Sequence, residues 1–316
     1  MRPAEYGDKL FMTREEAAKI VADQAAFLDN ALRDTDGDRE APAVGGAAVV
    51  GFEENRADGE ALGAGNVGGY NWFWVDPGHD GFEIDGKFRT SIITSPVNGQ
   101  MPPMTEEAQE AMAKRFAGFR RSNDGTAWWI DDETGPYDNI ETRSRAERCI
   151  LGFTGATPTI PSLYNNYKTI VQTEDYVMIL IEMVHDARIV RMNSEHPGPE
   201  VQTWLGDSIG WWEGDTLVVD STNFSPRAAG FLGGSPNTHV VERFSMQANG
   251  NVVYTFTMED DTIWKAPWTG EYIWRSSDQK LYEYACHEGN YALGNIKRGA
   301  RLLEKDALEA KSSGGD

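Results

Sequence analysis

Within EYACHEGNYALGNI, residues 283–296, Tyr284, Cys286, His287, Glu288, Asn290 and Tyr291 fall in eight consecutive positions around Gly289. An imidazole beside a carboxylate is equipment for acid–base catalysis near neutral pH, and a phenol can donate to a developing oxyanion. The same groups also suit a strand end that ties down the chain, with Asn290 and Asn295 bonding backbone. If KLYEYAC is a strand, Tyr282, Tyr284 and Cys286 share one face, and His287 and Glu288 leave it at Gly289. This places His287 and Glu288 at the rim of a ligand site, with Tyr284 facing it and Asn290 beside it.

A second imidazole lies in LIEMVHDARIVR, residues 180–191. As one strand, this stretch sets Met183, His185, Ala187 and Ile189 on one face and Glu182, Val184, Asp186 and Arg188 on the other. With the apolar face inward, His185 is the titratable group of an interior: a general base, or a core histidine bonded to a neighbour. Asp186 and Arg188 then pair on the outer face. His239, at the start of HVVERF, is a strand-start residue with the same two readings.

Motifs for other chemistries are missing. The sequence has no G-x-G-x-x-G after a strand, no phosphate-binding G-x-x-x-x-G-K-[ST], no H-E-x-x-H and no G-x-S-x-G. GAGNVGG at 63–69 is glycine-rich loop. The histidines at 79, 185, 196, 239 and 287 have no metal-ligand spacing, so neither metal nor cofactor is expected. What remains is catalysis by side chains alone, or ligand binding.

The elements that must hold these groups are mainly strands. Thr13 with Glu16 is a capping box ahead of the helical pattern AAKIVADQAAFLDNAL. Residues 34–69 are rich in Gly, Ala and acids and read as loop, completing an N-terminal region 1–69. Residues 70–96 alternate aromatic and β-branched residues with turn residues. Thr105 caps a second helix at 105–121. From 168 the chain reads as strand after strand: KTIVQT, YVMILIEMVHDARIVRM, SIGWWEG, DTLVVDSTNF, HVVERFSMQ, NVVYTFTMED, WTGEYIWRSS and KLYEYAC. Turns at 213–215, 248–251 and 276–279 join several of them. The expectation is an antiparallel meander over 70–300, closed into a lipocalin-like β-barrel around one small ligand, followed by a polar tail 301–316.

Most of the ten tryptophans are expected in the core, and a cavity holding several, Trp74 and Trp212 among them, would suit a planar aromatic ligand. A net charge of -21 argues against nucleic acid and anionic membranes as partners. No apolar run reaches the length of a membrane span, and no export signal precedes the first helix. The expected location is the cytoplasm, or the periplasm where a leader has been removed; a homodimer is compatible with the sequence. Cys149 and Cys286 are too few for a disulfide framework, and whether they pair is open.

Several runs together resemble a large bacterial family of unassigned activity: FRTSIITSP with NGQMPP, the ERC at 147–149, IVQTEDYVMILIEMVHDARIV, WLGDSIGWWEGDTLVVDSTNF, HVVERF and YEYACHEGNY. The likeness covers about residues 70–300. Within it, the chain resembles the bacterial enzymes that open the phenylcoumaran ring of lignin-derived dimers to stilbenes. That resemblance implies cofactor-free β-elimination: a base takes the proton beside the benzylic carbon, and a donor meets the departing phenoxide. Arg89, His185, Arg188, His287 and Glu288 fall in the matching motifs. It makes His185 the base, with Tyr284 or His287 the donor, and Arg89 and Arg188 substrate-binding groups. A non-catalytic carrier of an apolar or aromatic ligand is the alternative, and a hydrolase the third.

Overall fold

The computed structural model describes residues 1–31, 83–117, 125–133, 135–152, 155, 157–162, 164–227 and 235–313. The chain divides into two compact units. One comprises Met1–Ala26, Val75–Ala111 and Phe153–Tyr284; the other comprises Phe27–Trp74, Met112–Gly152 and Ala285–Asp316. The expected loop at 34–69 and the expected strand region up to residue 82 lie outside the described residues.

Local signals place the helices. Helix α1 (Arg14–Ala31) starts on the capping box: the Glu16 N–H donates to Thr13 Oγ1 (3.2 Å), and the Thr13 N–H donates to Glu16 Oε2 (2.6 Å). Helix α2 (Glu106–Ala117) starts on Thr105, whose hydroxyl accepts from the Ala108 N–H at 3.1 Å.

The first unit is mainly β. A small sheet joins β1 (Phe11–Met12), β3 (Lys87–Arg89) and β2 (Glu83–Ile84) in that order. The large sheet has nine strands: β4 (Ile93–Ser95), β5 (Lys168–Gln172), β6 (Tyr176–Ile181), β7 (Ala187–Met192), β8 (Asp207–Glu213), β9 (Thr216–Thr222), β10 (His239–Met246), β11 (Val252–Glu259) and β12 (Trp268–Trp274). Their order across the sheet is β4-β12-β11-β10-β9-β8-β7-β6-β5. Gly214 and Gly250, both at positive φ, make the turns expected at 213–215 and 248–251.

The meander is interrupted once. β7 and β8 run parallel, with Val190 opposite Ser208, because residues 193–206 carry the chain back along the sheet before β8 begins. Two other expectations also need correcting. The long strand 176–192 is broken by a tight turn at Met183–His185, and residues 280–286 are not a strand.

One face of the sheet is a continuous core. Val177, Ile179, Val190, Val219, Val240, Tyr254, Phe256, Met258 and Trp268 are all essentially inaccessible to solvent. Each such side chain contributes about 1.5–3 kcal/mol of burial. Gly270 sits there because a Cβ would come within 2.4 Å of the Phe256 ring, so only glycine lets that ring lie against β12. The sheet is curled, not flat. Lys168 on β5 and Trp274 on β12 stand seven strand positions apart, about 34 Å in a flat sheet, yet the Lys168 ammonium lies 4.9 Å from the Trp274 ring centre. Among the described residues no ladder joins β4 to β5.

In the second unit, helix α3 (Tyr291–Ser313) includes most of the expected polar tail. Its Ala300, Leu303 and Ala307 pack with Ala127 and Trp129. The Trp129 indole N–H donates to Glu304 Oε1 at 2.6 Å, and Arg301 pairs with Asp138 at 2.8 Å. The apolar positions of KRGARLLEKDALEA make one face of a helix, which is why this charged stretch is ordered. A disulfide joins Cys149 to Cys286, with Cα atoms 5.8 Å apart.

Candidate functional site

The interior of the curled sheet holds a buried ion pair. Arg188 on β7 and Glu242 on β10 are 3% and 0% exposed. The Arg188 guanidinium donates from Nη1 to Glu242 Oε2 (2.5 Å) and from Nη2 to Oε1 (3.1 Å), the bidentate arrangement that suits a planar fork. Nη1 also reaches Thr157 Oγ1 at 3.0 Å. The Tyr254 hydroxyl donates to Glu242 Oε1 at 2.6 Å and accepts from the Thr159 N–H at 3.1 Å; the Tyr272 hydroxyl donates to the Thr159 carbonyl at 2.9 Å. Burial first, and the Glu242 charge second, hold the Tyr254 phenol well above its ordinary range; burial does the same to Tyr272. Both phenols are therefore neutral donors. The segment carrying Thr157 and Thr159 runs through this interior and takes up its polar contacts.

Arg188 was expected on the outer face, and the structure reverses that assignment. Arg188 is interior, whereas Ala187 and Ile189 are exposed. The cause is the turn before it. Val184 and His185 have φ of 60° and 47°, in the left-handed region, so the in–out alternation restarts between Ile181 and Ala187. His185 is consequently exposed at that turn and does not point into the interior.

At one end of the interior the partly buried Lys168 amine meets an aromatic wall. Its Nζ donates to the Asn166 carbonyl at 2.9 Å and lies over the Trp274 ring. Trp274 in turn contacts Tyr254 and Phe244, with ring centres 4.7 and 5.4 Å away. Removal from water pushes the Lys168 ammonium down to about 8, against the opposing pull of Glu182. Lys168 is thus the amine of the interior with access to a free base near neutral pH. KTIVQT offered no signal for this beyond a lysine sharing a face with Ile170.

The other expected site residues are dispersed. Arg89 on β3 pairs with Glu271 and lies 4.9 Å from the Phe11 ring centre. Trp212 is half exposed near the end of β8, and Trp74 lies outside the described residues. Tyr284 is partly buried, in the first unit, and has no strand to orient it. His287 and Glu288 are exposed, in the second unit. Asn290 Nδ2 donates to the Glu147 carbonyl at 2.7 Å and contacts Cys149 Sγ at 3.4 Å, so it braces the disulfide.

A further titratable group of residues lies on the opposite, outer face of the sheet. It comprises Asp207, His196, Asp220, His239 and Glu259 in sequence of contact. Among the described residues no set of three or more His, Cys, Asp or Glu side chains is arranged to hold a metal ion, and no helix is long and apolar enough to cross a membrane. Comparison with protein-family models, curated proteins and solved structures found no match to the chain.

Proposed function

We propose that the protein is a cofactor-independent carbon–oxygen lyase acting on a small aromatic molecule. In this reading the curled sheet is a lipocalin-like barrel, and the reaction opens a benzylic aryl ether of the phenylcoumaran type. The observation that carries the reading is the Lys168 amine held over Trp274. An indole face gives a planar aromatic ring a surface to stack on, and an amine titrating near 8 supplies a base beside it. The free amine takes the proton beside the benzylic carbon. That electron pair becomes the new carbon–carbon double bond, the bond between the benzylic carbon and the ether oxygen breaks, and the phenoxide leaves with the electrons of that bond. The proton on Lys168 returns to the phenoxide or to water, so substrate and product are isomers. The role first given to His185 passes to Lys168, because His185 is exposed at a turn.

The test is an ultraviolet time course with a racemic phenylcoumaran dimer and no added cofactor. A stilbene band that stops near half conversion, and that Lys168→Met abolishes, supports the reading; an unchanged rate in Lys168→Met removes Lys168 as base. A second reading is favoured by the wall of Phe244, Tyr254, Tyr272 and Trp274: a carrier of an aromatic ligand. It expects the same dimer to quench tryptophan fluorescence with no new band.

A further inference from the structure

The Lys168 amine has a second capability besides taking a proton: it is a nucleophile at the edge of an aromatic wall. Lys168 and Trp274 are both partly exposed, so neither is sealed from solvent. An ammonium has three N–H donors, and one of them is directed at the Asn166 carbonyl at 2.9 Å. The nitrogen lies 4.9 Å from the Trp274 ring centre. Trp274 is itself held by ring contacts with Tyr254 and Phe244, so the surface beside the amine is fixed by packing. Glu182, 8% exposed, follows Ile181, which stands opposite Lys168 in the β5–β6 ladder, and its charge acts on the amine.

An unprotonated amine adds to an aldehyde. The nitrogen lone pair bonds the carbonyl carbon, the second C–O bond pair goes to oxygen, and a proton from nitrogen ends on that oxygen. The hydroxyl of this carbinolamine then leaves as water with a proton taken from solvent, while the nitrogen lone pair closes a C=N bond. The product is an iminium cation and one water; hydrolysis reverses it, and nothing is oxidised or reduced. Lysines that do this chemistry are held out of water, which keeps part of their population unprotonated. Lys168 meets that condition, since burial pushes its ammonium down to about 8 against the pull of Glu182. The iminium carries its positive charge on the same nitrogen, so the indole face and Glu182, which attract the ammonium, attract the product too.

We propose that Lys168 is a reversible covalent capture site for aromatic aldehydes, held as an iminium against Trp274. The aromatic class follows from position. The carbonyl carbon bonds an atom that already lies beside the indole, and an aryl group on that carbon is one bond further on. It therefore falls within the range of about 4.5–7 Å between centres at which aromatic rings associate. An alkyl chain at the same place gains no such contact. This inference does not rest on the lyase reading: elimination requires the amine to reach a C–H bond, capture requires it to bond a carbonyl carbon, and either proceeds without the other.

The experiment incubates the full-length protein with limiting benzaldehyde and sodium cyanoborohydride, which reduces an iminium to a stable secondary amine, and locates the benzylated lysines by peptide mass. Lys265 and Lys280, both exposed, are the internal reference. Near neutral pH, Lys168 is expected to be labelled about tenfold or more faster than either, because more of it is free amine. Lys168→Arg keeps a cation over Trp274 but forms no imine, and should lose that fast-labelled site and no other. Butanal should give a smaller ratio of Lys168 to Lys265 labelling than benzaldehyde does, and Trp274→Leu should bring the benzaldehyde ratio down to the butanal one. Labelling of Lys168 no faster than of Lys265 and Lys280 would overturn capture, and equal ratios for the two aldehydes in the parent protein would overturn the aromatic assignment. Stilbene formation without trapping sinks this inference and leaves the lyase standing; trapping without stilbene does the reverse.

Discussion

The Lys168 ammonium sits over the indole of Trp274, although the two residues belong to strands seven positions apart in one sheet. Two consequences follow from that contact. The sheet must curl until its ends approach, and an amine must be carried out of water. Cation–π attraction returns on the order of 1–2 kcal/mol for a desolvated pair. The depression of the Lys168 pKa to about 8 says that desolvation outweighs the pull of Glu182.

The sign of that shift sets a pH dependence. Below about pH 8, Lys168 is charged in both folded and unfolded chains, and the folded state bears the full penalty. Between about 8 and its ordinary value of 10.5 the unfolded chain binds more protons, so stability rises with pH over that window. Lys168→Met removes the penalty. It should stabilise the protein by on the order of 2 kcal/mol at pH 7, and the gain should vanish near pH 10.5. Urea denaturation of both proteins at the two pH values decides it; a gain equal at both would place its origin in packing, not charge.

The strands were legible because alternation and turn residues agree: the GD and NG turns and the β-branched runs from 168 to 274 correspond to strands. What misled was two residues. Val184 and His185 adopt left-handed backbone, an uncommon choice for side chains of their kind, and each face assignment between 182 and 189 depends on it. Arg188 therefore moved from the outside to the interior, and its partner Glu242 lies 54 residues away. Alternation places a residue on a face but does not say which distant strand it meets. Lys168 and Trp274 were hidden for the same reason, since their meeting depends on the curl of the whole sheet. The YEYACHEGNY run owes its density of polar groups in part to structural work, as Cys286 and Asn290 show.

Arg188 and Glu242 should be costly to separate and cheap to replace together. Glu242→Leu leaves a guanidinium buried and unpaired, and should cost about 3–5 kcal/mol. The double variant Arg188→Met with Glu242→Leu should recover most of that loss, because it also removes the cost of burying two charges. Tyr254→Phe should cost about 1–2 kcal/mol, by removing a donor to Glu242 and the acceptor of the Thr159 N–H. A double-mutant cycle by chemical denaturation measures the coupling; additivity of the two single changes would show that the pair does not act as a unit.

Gly270→Ala should lower stability by about 1–3 kcal/mol, because its new methyl meets the Phe256 ring in a filled core. The clash has one identified partner, so Phe256→Leu should be less harmful in the Gly270→Ala background than alone. Thermal unfolding of the four proteins gives the comparison, and equal effects in both backgrounds would locate the strain elsewhere.

The disulfide makes a claim about chemistry as well as stability. Cys149 and Cys286 are the chain's two cysteines and they are bonded, so native protein purified under oxidising conditions should give no free thiol, and two after reduction. The crosslink joins two residues of the unit that holds α3 across a separation of 137 residues, and by chain entropy should be worth about 5 kcal/mol. Cys286→Ser should therefore unfold at a lower denaturant concentration than the oxidised parent, and reduced parent should match the variant. Asn290→Ala, which keeps the bond but loses its brace to the Glu147 carbonyl, should fall between them. If oxidised parent and Cys286→Ser unfold together, the bridge restrains a part of the chain whose order does not limit unfolding.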